Sequence, residues 1–381
     1  MRRTLGLVVL ALALCSTAPA AARAPTASPL AITAEQGGGM AFLSRLDPVT
    51  LERRDPRVHI SEWHGGYSFS PDGRRVALTV SRNPSNPIPR LGRVGIELVE
   101  HATGAVTEVQ TGVAAGAVAW LTPNRLVGIV QGGTVVLVDT DAGRVIRGDQ
   151  RVRADCIDPP GKGATRRALV VLLGDRVHAI DRNGAMRSAT LRGMDDRCGR
   201  LGFAVDEARE RAYAVGLGSR VAEVNLRTMR VTYRALPRAA ARGTSLQASA
   251  LLLGDRRLAV AHAVFSRGNP KGVEVVDVRR GTRRVIDPGA GRVILAGSRL
   301  ITWDGHYAGR RSAAQGIRVF DRAGRPLFGM LGGERVEDVQ VLGRFAYALV
   351  GGGRLRVVDL ATRSVVSRSA HGWAEVAFLS R

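Results

Sequence analysis

Short runs of β-branched and other apolar residues alternate with turns rich in Asp, Asn and Gly along most of the chain. In one clear unit, the apolar run Val135–Val138 precedes the turn Asp139–Gly143, and the run Arg144–Ile146 follows it. Asp, Asn and Gly suit such turns because they cap a tight turn or tolerate a left-handed backbone. The pattern predicts short strands joined by tight turns, with no long helix.

The strand-turn-strand unit recurs at intervals of roughly 38 to 54 residues, which is the range of propeller blades. Two further β-rich runs lie upstream of each unit, as at Tyr67–Ser70 and Val76–Val80, so four strands make up one repeat. This predicts an all-β propeller whose blades have strands A, B, C and D from the axis outward. The turns begin at Asp47, His101, Asp139, Asp181, Asn225, Asp277, Asp321 and Asp359.

The two ends of the chain supply complementary parts of one blade. The first unit has a B-like run at Leu30–Ala34, a C run at Met40–Leu46 and a D run after Thr50, while Glu375–Leu379 is an isolated A run. We therefore expect the last strand to complete the first blade and close the ring, which removes exposed sheet edges. Eight blades are preferred because about 350 mature residues then give about 44 per blade, which matches the spacing of the repeated unit. A seven-bladed ring with one misread unit is the alternative.

Two segments resemble a known class of repeat. Tyr67–Leu78 reads YSFSPDGRRVAL and looks like the strand-turn-strand signature of YVTN-type and TolB-like propeller repeats. Val357–Val366 reads VVDLATRSVV and resembles the following strand-turn-strand of YVTN repeats. The resemblance covers nearly all of the mature chain, although one unit alone carries the full SPDG turn and the dipeptide of WD repeats is absent. It implies a secreted or periplasmic propeller that binds rather than catalyses.

The N-terminus has the three parts of an export signal. Arg2 and Arg3 form a basic start, Leu5–Leu14 is an apolar run too short to span a membrane, and small residues with Ala-x-Ala spacing follow. We predict a signal peptide at residues 1–24 and a single propeller domain at 25–381. The protein should then be secreted, periplasmic or held at the cell envelope, with no transmembrane segment.

The three cysteines fit an exported protein. Leu14 precedes Cys15 where a lipoprotein signal has a small residue, which argues against a lipid anchor there. After export Cys156 and Cys198 remain, and two cysteines in an oxidising compartment favour a disulfide over a metal pair. Each falls at the start of an A strand in neighbouring blades, where a bridge is feasible.

The positive charge of this chain comes from arginine. The sequence has 56 Lys+Arg against 33 Asp+Glu, a net charge of +23, and its lysines are Lys162 and Lys271. One interpretation is an anionic polymer as partner, bound by bidentate arginine contacts. The other is a coding bias toward arginine on solvated strand edges. Aromatic residues make up 4%, too few for a stacking groove, and the export signal also argues against nucleic acid as a partner.

Antiparallel strand order puts the B-to-C and D-to-A connections on one face of a propeller. The longest B-to-C insertions are Ser81–Arg93, Ala263–Gly272 and Trp303–Gln315, so all three should share that face. Long loops on a rigid scaffold are a common place for binding, although insertions there are also simply tolerated. The candidate ligand-binding residues of this face are His64, Arg82, Arg90, Arg93, Arg267, Trp303, His306, Tyr307, Arg310, Arg311 and His371.

His64 and His371 lie on successive blades once the ring closes, so they are expected to approach each other near the channel mouth. They would either bind an anion or metal, or cap the next strand as Gly-His turns. No HExxH motif and no helical His pair is present, so neither a metal nor a cofactor is predicted. Pro160–Thr165 lacks the spacing of a phosphate-binding loop and is expected to be an exposed A-to-B loop.

Two classes of function are compatible with these features. The first is a monomeric, non-catalytic module that binds a protein or an anionic cell-envelope polymer through the long-loop face. The second is a propeller hydrolase, lyase or isomerase that uses His64, His371 and a channel carboxylate. No nucleophile elbow is present, and no catalytic residue is assigned. The acids expected near inner strands are Asp155, Glu337, Asp338 and Glu375.

Overall fold

The computed structural model is built of β-strands, and it contains no helix in the part of the chain that it describes. That part comprises residues 30–34, 41–54, 58–60, 64–72, 74–80, 95–100, 102–112, 115–130, 133–151, 161–165, 167–194, 201–239, 246–264, 272–305, 315–351, 353–368 and 375–377.

The strands form four-stranded antiparallel sheets, which we number in chain order. The first sheet contains β1 (Leu30–Ala34), β2 (Ala41–Arg45), β3 (Val58–Ile60) and β32 (Glu375–Ala377). The second contains β4 (His64–Phe69), β5 (Arg75–Val80), β6 (Gly95–Glu100) and β7 (Val106–Gln110). The third contains β8 (Ala115–Thr122), β9 (Arg125–Val130), β10 (Thr134–Asp139) and β11 (Arg144–Arg151). The fourth contains β12 (Gly161–Ala164), β13 (Ala168–Leu173), β14 (Arg176–Asp181) and β15 (Met186–Thr190).

The remaining sheets repeat this arrangement. The fifth contains β16 (Gly202–Asp206), β17 (Arg211–Val215), β18 (Arg220–Asn225) and β19 (Val231–Ala235). The sixth contains β20 (Leu246–Gly254), β21 (Arg257–Val264), β22 (Gly272–Asp277) and β23 (Thr282–Asp287). The seventh contains β24 (Arg292–Ala296), β25 (Arg299–Trp303), β26 (Ile317–Asp321) and β27 (Pro326–Met330). The eighth contains β28 (Val336–Leu342), β29 (Phe345–Val350), β30 (Arg354–Asp359) and β31 (Ser364–Arg368).

The sheets radiate from a common centre. The second to eighth sheets each use four consecutive strands, and neighbouring sheets meet through their first strands, as β4 meets β8 and β16 meets β20. The first strand of each of these seven sheets is therefore its inner strand. The fourth strand lies outside, where β31 alternates between exposed and partly buried positions while β29 is buried throughout.

Separate apolar layers fill the spaces between sheets. One layer joins Leu172 of the fourth sheet to Phe203 and Ala214 of the fifth, and Leu172 and Ala214 have no exposed surface. Because the middle strands are covered on both sides, they read as continuous apolar runs rather than alternating ones. This burial on both sides explains the pattern of the sequence.

The last described strand lies in the first sheet, whose order is β3-β2-β1-β32. Strand β32 is antiparallel to β1, with Leu30 opposite Ala377 and Ile32 opposite Glu375. Leu46 and Leu51 of the N-terminal segment also share an apolar cluster with Tyr347 of the eighth sheet.

The role expected of Asp and Asn in the turns is confirmed. The side chain of Asp139 accepts backbone N–H groups from Asp141 at 3.1 Å and from Ala142 at 3.0 Å. Asn225 makes the same contact to the N–H of Arg227 at 2.9 Å. These bonds stabilise the turn between the third and fourth strands, because they give acceptors to backbone N–H groups that are not paired with another strand.

Arginine side chains cross between neighbouring sheets. Arg75 of the second sheet donates to the main-chain oxygen of Thr140 in the third, with an N–O distance of 3.1 Å. Arg299 of the seventh sheet donates to the oxygen of Leu360 in the eighth at 2.6 Å. A guanidinium suits this role because its rigid fork carries five N–H donors. Part of the arginine content therefore joins adjacent sheets.

The segment Gly161–Ala164 corrects one expectation. It is the inner strand β12, opposite Leu169–Leu172, and not an exposed loop. Gly163 is needed for packing, since a Cβ there would lie 2.5 Å from a methyl carbon of Val205 in the next sheet. The predicted signal peptide 1–24, with Cys15, and the predicted cysteine pair, Cys156 and Cys198, lie outside the described residues.

Candidate functional site

The two longest connections, residues 81–94 between β5 and β6 and residues 304–316 between β25 and β26, both join a second strand to a third. The shorter connection 265–271, between β21 and β22, does the same, whereas the connection 46–57 joins the two outer strands of the first sheet, β2 and β3. All second-to-third connections of such antiparallel sheets leave from the same end, which we call the loop face. The opposite end carries the first-to-second and third-to-fourth connections and is called the turn face. Two loops start later than expected, since Ala263 belongs to β21 and Trp303 to β25.

The candidate residues of the loop face are mostly beyond what the structure describes. His64 begins β4, where it is paired with Val80. Trp303 is described in full. Outside the described residues lie Arg82, Arg90, Arg93, Arg267, His306, Tyr307, Arg310, Arg311 and His371.

Trp303 makes a contact between two sheets. Its side chain is buried in a cluster with Ile317 and Val339, and its indole N–H donates to the main-chain oxygen of Glu337 at 3.3 Å. Ile301, two residues before Trp303 on β25, belongs to the same cluster. Trp303 therefore joins the seventh sheet to the eighth at the end of β25.

A buried carboxyl group follows Trp303 at the base of this loop. Asp304 is 3% exposed, and burial raises its pKa above the ordinary value. The backbone amide of Gln315 and the charge of Arg318 partly oppose that shift. No donor in the described ranges meets the Asp304 carboxylate at normal hydrogen-bond geometry. Asp304 and Gln315, on either side of the loop, are thus close together.

A second buried acid lies next to Asp304. Asp287 ends β23 and has no exposed surface, and its charge contributes to the raised pKa of Asp304. Arg318 forms an ion pair with Asp287, and the hydroxyl of Thr302 donates to it. The backbone N–H of Gly289 also donates to Asp287, at 3.0 Å. These bonds join the outer strand of the sixth sheet to the seventh. Both carboxylate oxygens of Asp287 have partners in them.

One of the acids expected near the channel has an altered pKa. Asp338 lies on the inner strand β28, and burial raises the pKa of its carboxyl group. Gln340 donates to it at 3.1 Å, and Arg292 on the neighbouring inner strand lowers the pKa in part. Glu337 also lies on β28, Glu375 lies on β32, and Asp155 is outside the described residues.

Sequence reasoning missed a buried charged group in the sixth sheet. Glu274 is 1% exposed, and its carboxylate lies 3.4 Å from Nε of Arg283 and 3.5 Å from Nε2 of His262. Arg283 also donates to the main-chain oxygen of Gly216 in the fifth sheet, at 2.9 Å. A signal was present, because His262 and Glu274 each interrupt an otherwise apolar strand.

Two features are absent from the described residues. They contain no group of three or more His, Cys, Asp or Glu side chains placed to hold a metal ion. In the same ranges, no helix is long and apolar enough to cross a membrane.

Comparison with known proteins gives the fold. No protein-family model matches the chain, and no curated protein matches it. Among solved structures it is similar to the dihydro-heme d1 dehydrogenase NirN in complex with DHE, with 16% identity, a TM-score of 0.63, and coverage of 91% of this chain and 74% of that chain. It is also similar to BamB from Moraxella catarrhalis, with 15% identity, a TM-score of 0.54, and coverage of 83% and 92% respectively.

A third similar structure is the computationally designed Ika8 protein, with 13% identity, a TM-score of 0.53, and coverage of 88% of this chain and 98% of that one. NirN and BamB are β-propeller proteins. The radial sheets and these similarities together define the chain as a β-propeller. At such low identities the similarity extends to the fold and carries no activity over.

Proposed function

We propose that this chain is an exported, non-catalytic propeller that binds a protein or an anionic cell-envelope polymer through its loop face. The observation that carries this proposal is that the two longest connections between strands, β5–β6 and β25–β26, both leave from the loop face. Variable loops on a rigid scaffold are a typical binding surface.

The composition of these loops supports an anionic partner. Arg82, Arg90 and Arg93 belong to the β5–β6 connection, and Arg310 and Arg311 to the β25–β26 connection. Arginine binds carboxylate and phosphate groups with paired hydrogen bonds, and a cluster of them also attracts anions over distance.

The predicted export signal at residues 1–24 supports a location outside the cytoplasm, with a single domain at 25–381 that acts as a monomer. The YVTN-like and TolB-like repeats at Tyr67–Leu78 and Val357–Val366 agree with that location. A disulfide between Cys156 and Cys198 would suit the same compartment.

We also infer a ring of eight blades that is closed by its termini. The pairing of β32 with β1 supports this inference, as does the apolar cluster that Leu46 and Leu51 form with the eighth sheet. Removal of residues 371–381 should then lower the melting temperature by several degrees, because the first sheet would lose its inner strand. An unchanged melting temperature would argue against closure.

The binding proposal can be tested by capture from cell-envelope material. Wild-type protein and an Arg310→Ala/Arg311→Ala variant are used as baits, and the recovery of each partner is compared. The matched control is Arg279→Ala/Arg280→Ala, an adjacent exposed arginine pair on the turn face. Loss of a partner with the loop variant alone supports the proposal. Equal recovery of every partner by all three baits would refute the role of that loop.

A propeller hydrolase, lyase or isomerase is the second candidate. The observation in its favour is the raised pKa of Asp338 on an inner strand, since burial that favours the protonated form of a carboxyl group is one way in which enzymes tune a general acid. This alternative uses His64, His371 and a channel carboxylate, for which Asp338 is the candidate. Its test is a panel of hydrolase, lyase and isomerase substrates with wild type and Asp338→Asn, and a turnover that both proteins share would exclude that role for Asp338.

A further inference from the structure

A cavity of about 200 Å³ opens between the fourth and fifth sheets on the turn face, away from the long loops. Arginines from three separate places line it: Arg167 in the β12–β13 hairpin, Arg187 on β15 and Arg227 in the β18–β19 turn. Glu210, in the hairpin of the fifth sheet, is its acidic residue. Three guanidinium groups thus share one small space with one carboxylate.

Glu210 is an internal counter-ion for two of these arginines. Its carboxylate accepts a hydrogen bond from Nε of Arg227 and lies 3.6 Å from Nε of Arg167. The bond from Arg227 is the main reason that the pKa of Glu210 lies below its ordinary value. Glu210 is therefore ionised at neutral pH. The position of its carboxylate shows where in the cavity a negative charge is stabilised.

Arg187 is held in place by the main chain instead. Its guanidinium donates to the oxygen of Arg227 at 2.7 Å and to that of Leu226 at 3.1 Å. These contacts fix the orientation of Arg187 across the gap between two sheets. A guanidinium has five N–H donors, so three donors of Arg187 stay available after these two bonds.

Most of the remaining donors are also available. Within the described part of the chain, the contacts of Arg167 and Arg227 go to Glu210, and neither arginine uses all of its N–H groups there. The cavity therefore has an excess of positive charge and of hydrogen-bond donors. Leu226 and the alanines 168 and 179 add an apolar wall.

We propose that this cavity binds a small oxyanion, namely a phosphate or carboxylate group carried on a short organic body. Planar guanidinium groups match such oxygens with paired, charge-assisted hydrogen bonds, and one of them is already oriented by the protein. The volume admits a ligand smaller than a drug-sized molecule, and the apolar wall fits a few carbon atoms. The ligand competes with Glu210 for the donors of Arg167 and Arg227.

Because the ligand and Glu210 compete for the same donors, some substitutions should weaken binding and another should strengthen it. Isothermal titration calorimetry of the full chain with inorganic phosphate, and separately with succinate, at constant ionic strength should give saturable binding at one site for at least one anion. Arg227→Gln and Arg167→Gln should each weaken that binding about tenfold, since each removes a charge-assisted bond. Glu210→Gln should strengthen it, because it removes the internal competitor.

The matched control is Arg279→Gln, because Arg279 has the position in the sixth-sheet turn that Arg227 has in the fifth. It should leave binding unchanged. The exposed Arg167 serves as the second test if Arg227→Gln does not fold. Absence of saturable binding to either anion would overturn the proposal, and so would equal weakening by Arg279→Gln, which would show general attraction to a basic surface.

Discussion

The phenol hydroxyl of Tyr347 donates a hydrogen bond to the main-chain oxygen of Pro48, although the two residues are 299 positions apart in the sequence. Tyr347 lies in the middle of β29 in the eighth sheet, and Pro48 lies in the turn after β2 in the first. Leu46 and Leu51, on either side of Pro48, pack in the same apolar cluster as Tyr347. These side chains connect the first and eighth sheets independently of strand β32.

Replacement of Tyr347 by Phe should test this contact. The change removes the hydroxyl and leaves a buried main-chain oxygen without its donor, so the free energy of unfolding should fall by about 1–2 kcal/mol. Urea titration followed by tryptophan fluorescence measures the change.

The chain contains a matched control for that experiment. Tyr213 has the same third position in β17 and is equally buried, but its hydroxyl has no hydrogen-bond partner among the described residues. Tyr213→Phe should therefore be neutral or slightly stabilising. An equal loss of stability in both variants would show that the Tyr347–Pro48 bond contributes nothing specific.

His178 should make stability depend on pH. Burial is the main cause that lowers its pKa from 6.5 to about 4, with a further contribution from the charge of Arg176. The unfolded chain binds the proton more readily, so the stability that is present above pH 6.5 is lost as the pH falls toward 4. Between pH 7 and pH 5 the loss from this group should be about 2 kcal/mol.

His178→Gln is the matched variant, since Gln stays neutral and can still bond to the hydroxyl of Ser188, which lies 2.7 Å from Nδ1 of His178. Urea unfolding at pH 7 and pH 5 compares the two proteins. The variant should lose less stability than wild type over this range. Parallel pH profiles would contradict the assignment.

The buried pair of Glu274 and Arg283 should be costly to break. Arg283→Leu removes the cation that lies 3.4 Å from the Glu274 carboxylate, and both side chains are almost fully buried. The free energy of unfolding should therefore fall by about 3–5 kcal/mol. The double variant Arg283→Leu/Glu274→Leu should recover much of this loss, because it leaves no buried charge. Thermal and urea unfolding measure both, and a double variant less stable than the single one would contradict the explanation.

The turn glycines should be sensitive to any side chain. Gly281 has a φ of +65°, and a Cβ there would lie 3.0 Å from the main-chain oxygen of Ala235. Gly281→Ala should therefore cost about 1–2 kcal/mol of stability. Gly218→Ala is the control, since a Cβ at Gly218 would meet nothing within 4 Å. The difference in melting temperature between the two variants measures the effect.

Local sequence patterns are sufficient to predict much of the fold. The Asp and Asn turns, the four-strand repeat and the propeller class follow from the sequence, because tight turns and strand periodicity depend on residues that are close in the chain. The same reasoning failed at Gly161–Ala164, which was predicted to be an exposed loop and forms the inner strand β12. A Cβ at Gly163 would meet Val205 of the next sheet, and that approach is a tertiary contact.

Part of the loop face could be derived from the strand order, and Trp303 was predicted to belong to it. The buried position of Trp303 against Glu337 depends on how two sheets pack, and a sequence pattern does not contain that information. The sequence did not predict that Asp287 and Asp304 lie close together. The reason is the same, since the two acids come from different sheets.

The sequence by itself determined the repeat, its turns, the arginine-rich composition and the face from which the long loops leave. The tertiary structure alone decided which arginines meet which partners. Arg75 and Arg299 bond to carbonyl oxygens of adjacent sheets, whereas Arg167 and Arg227 surround Glu210 at a cavity. The physical reason is that these contacts join residues 17 to 65 positions apart, whose distance is set by the packing of strands and sheets rather than by local backbone preference.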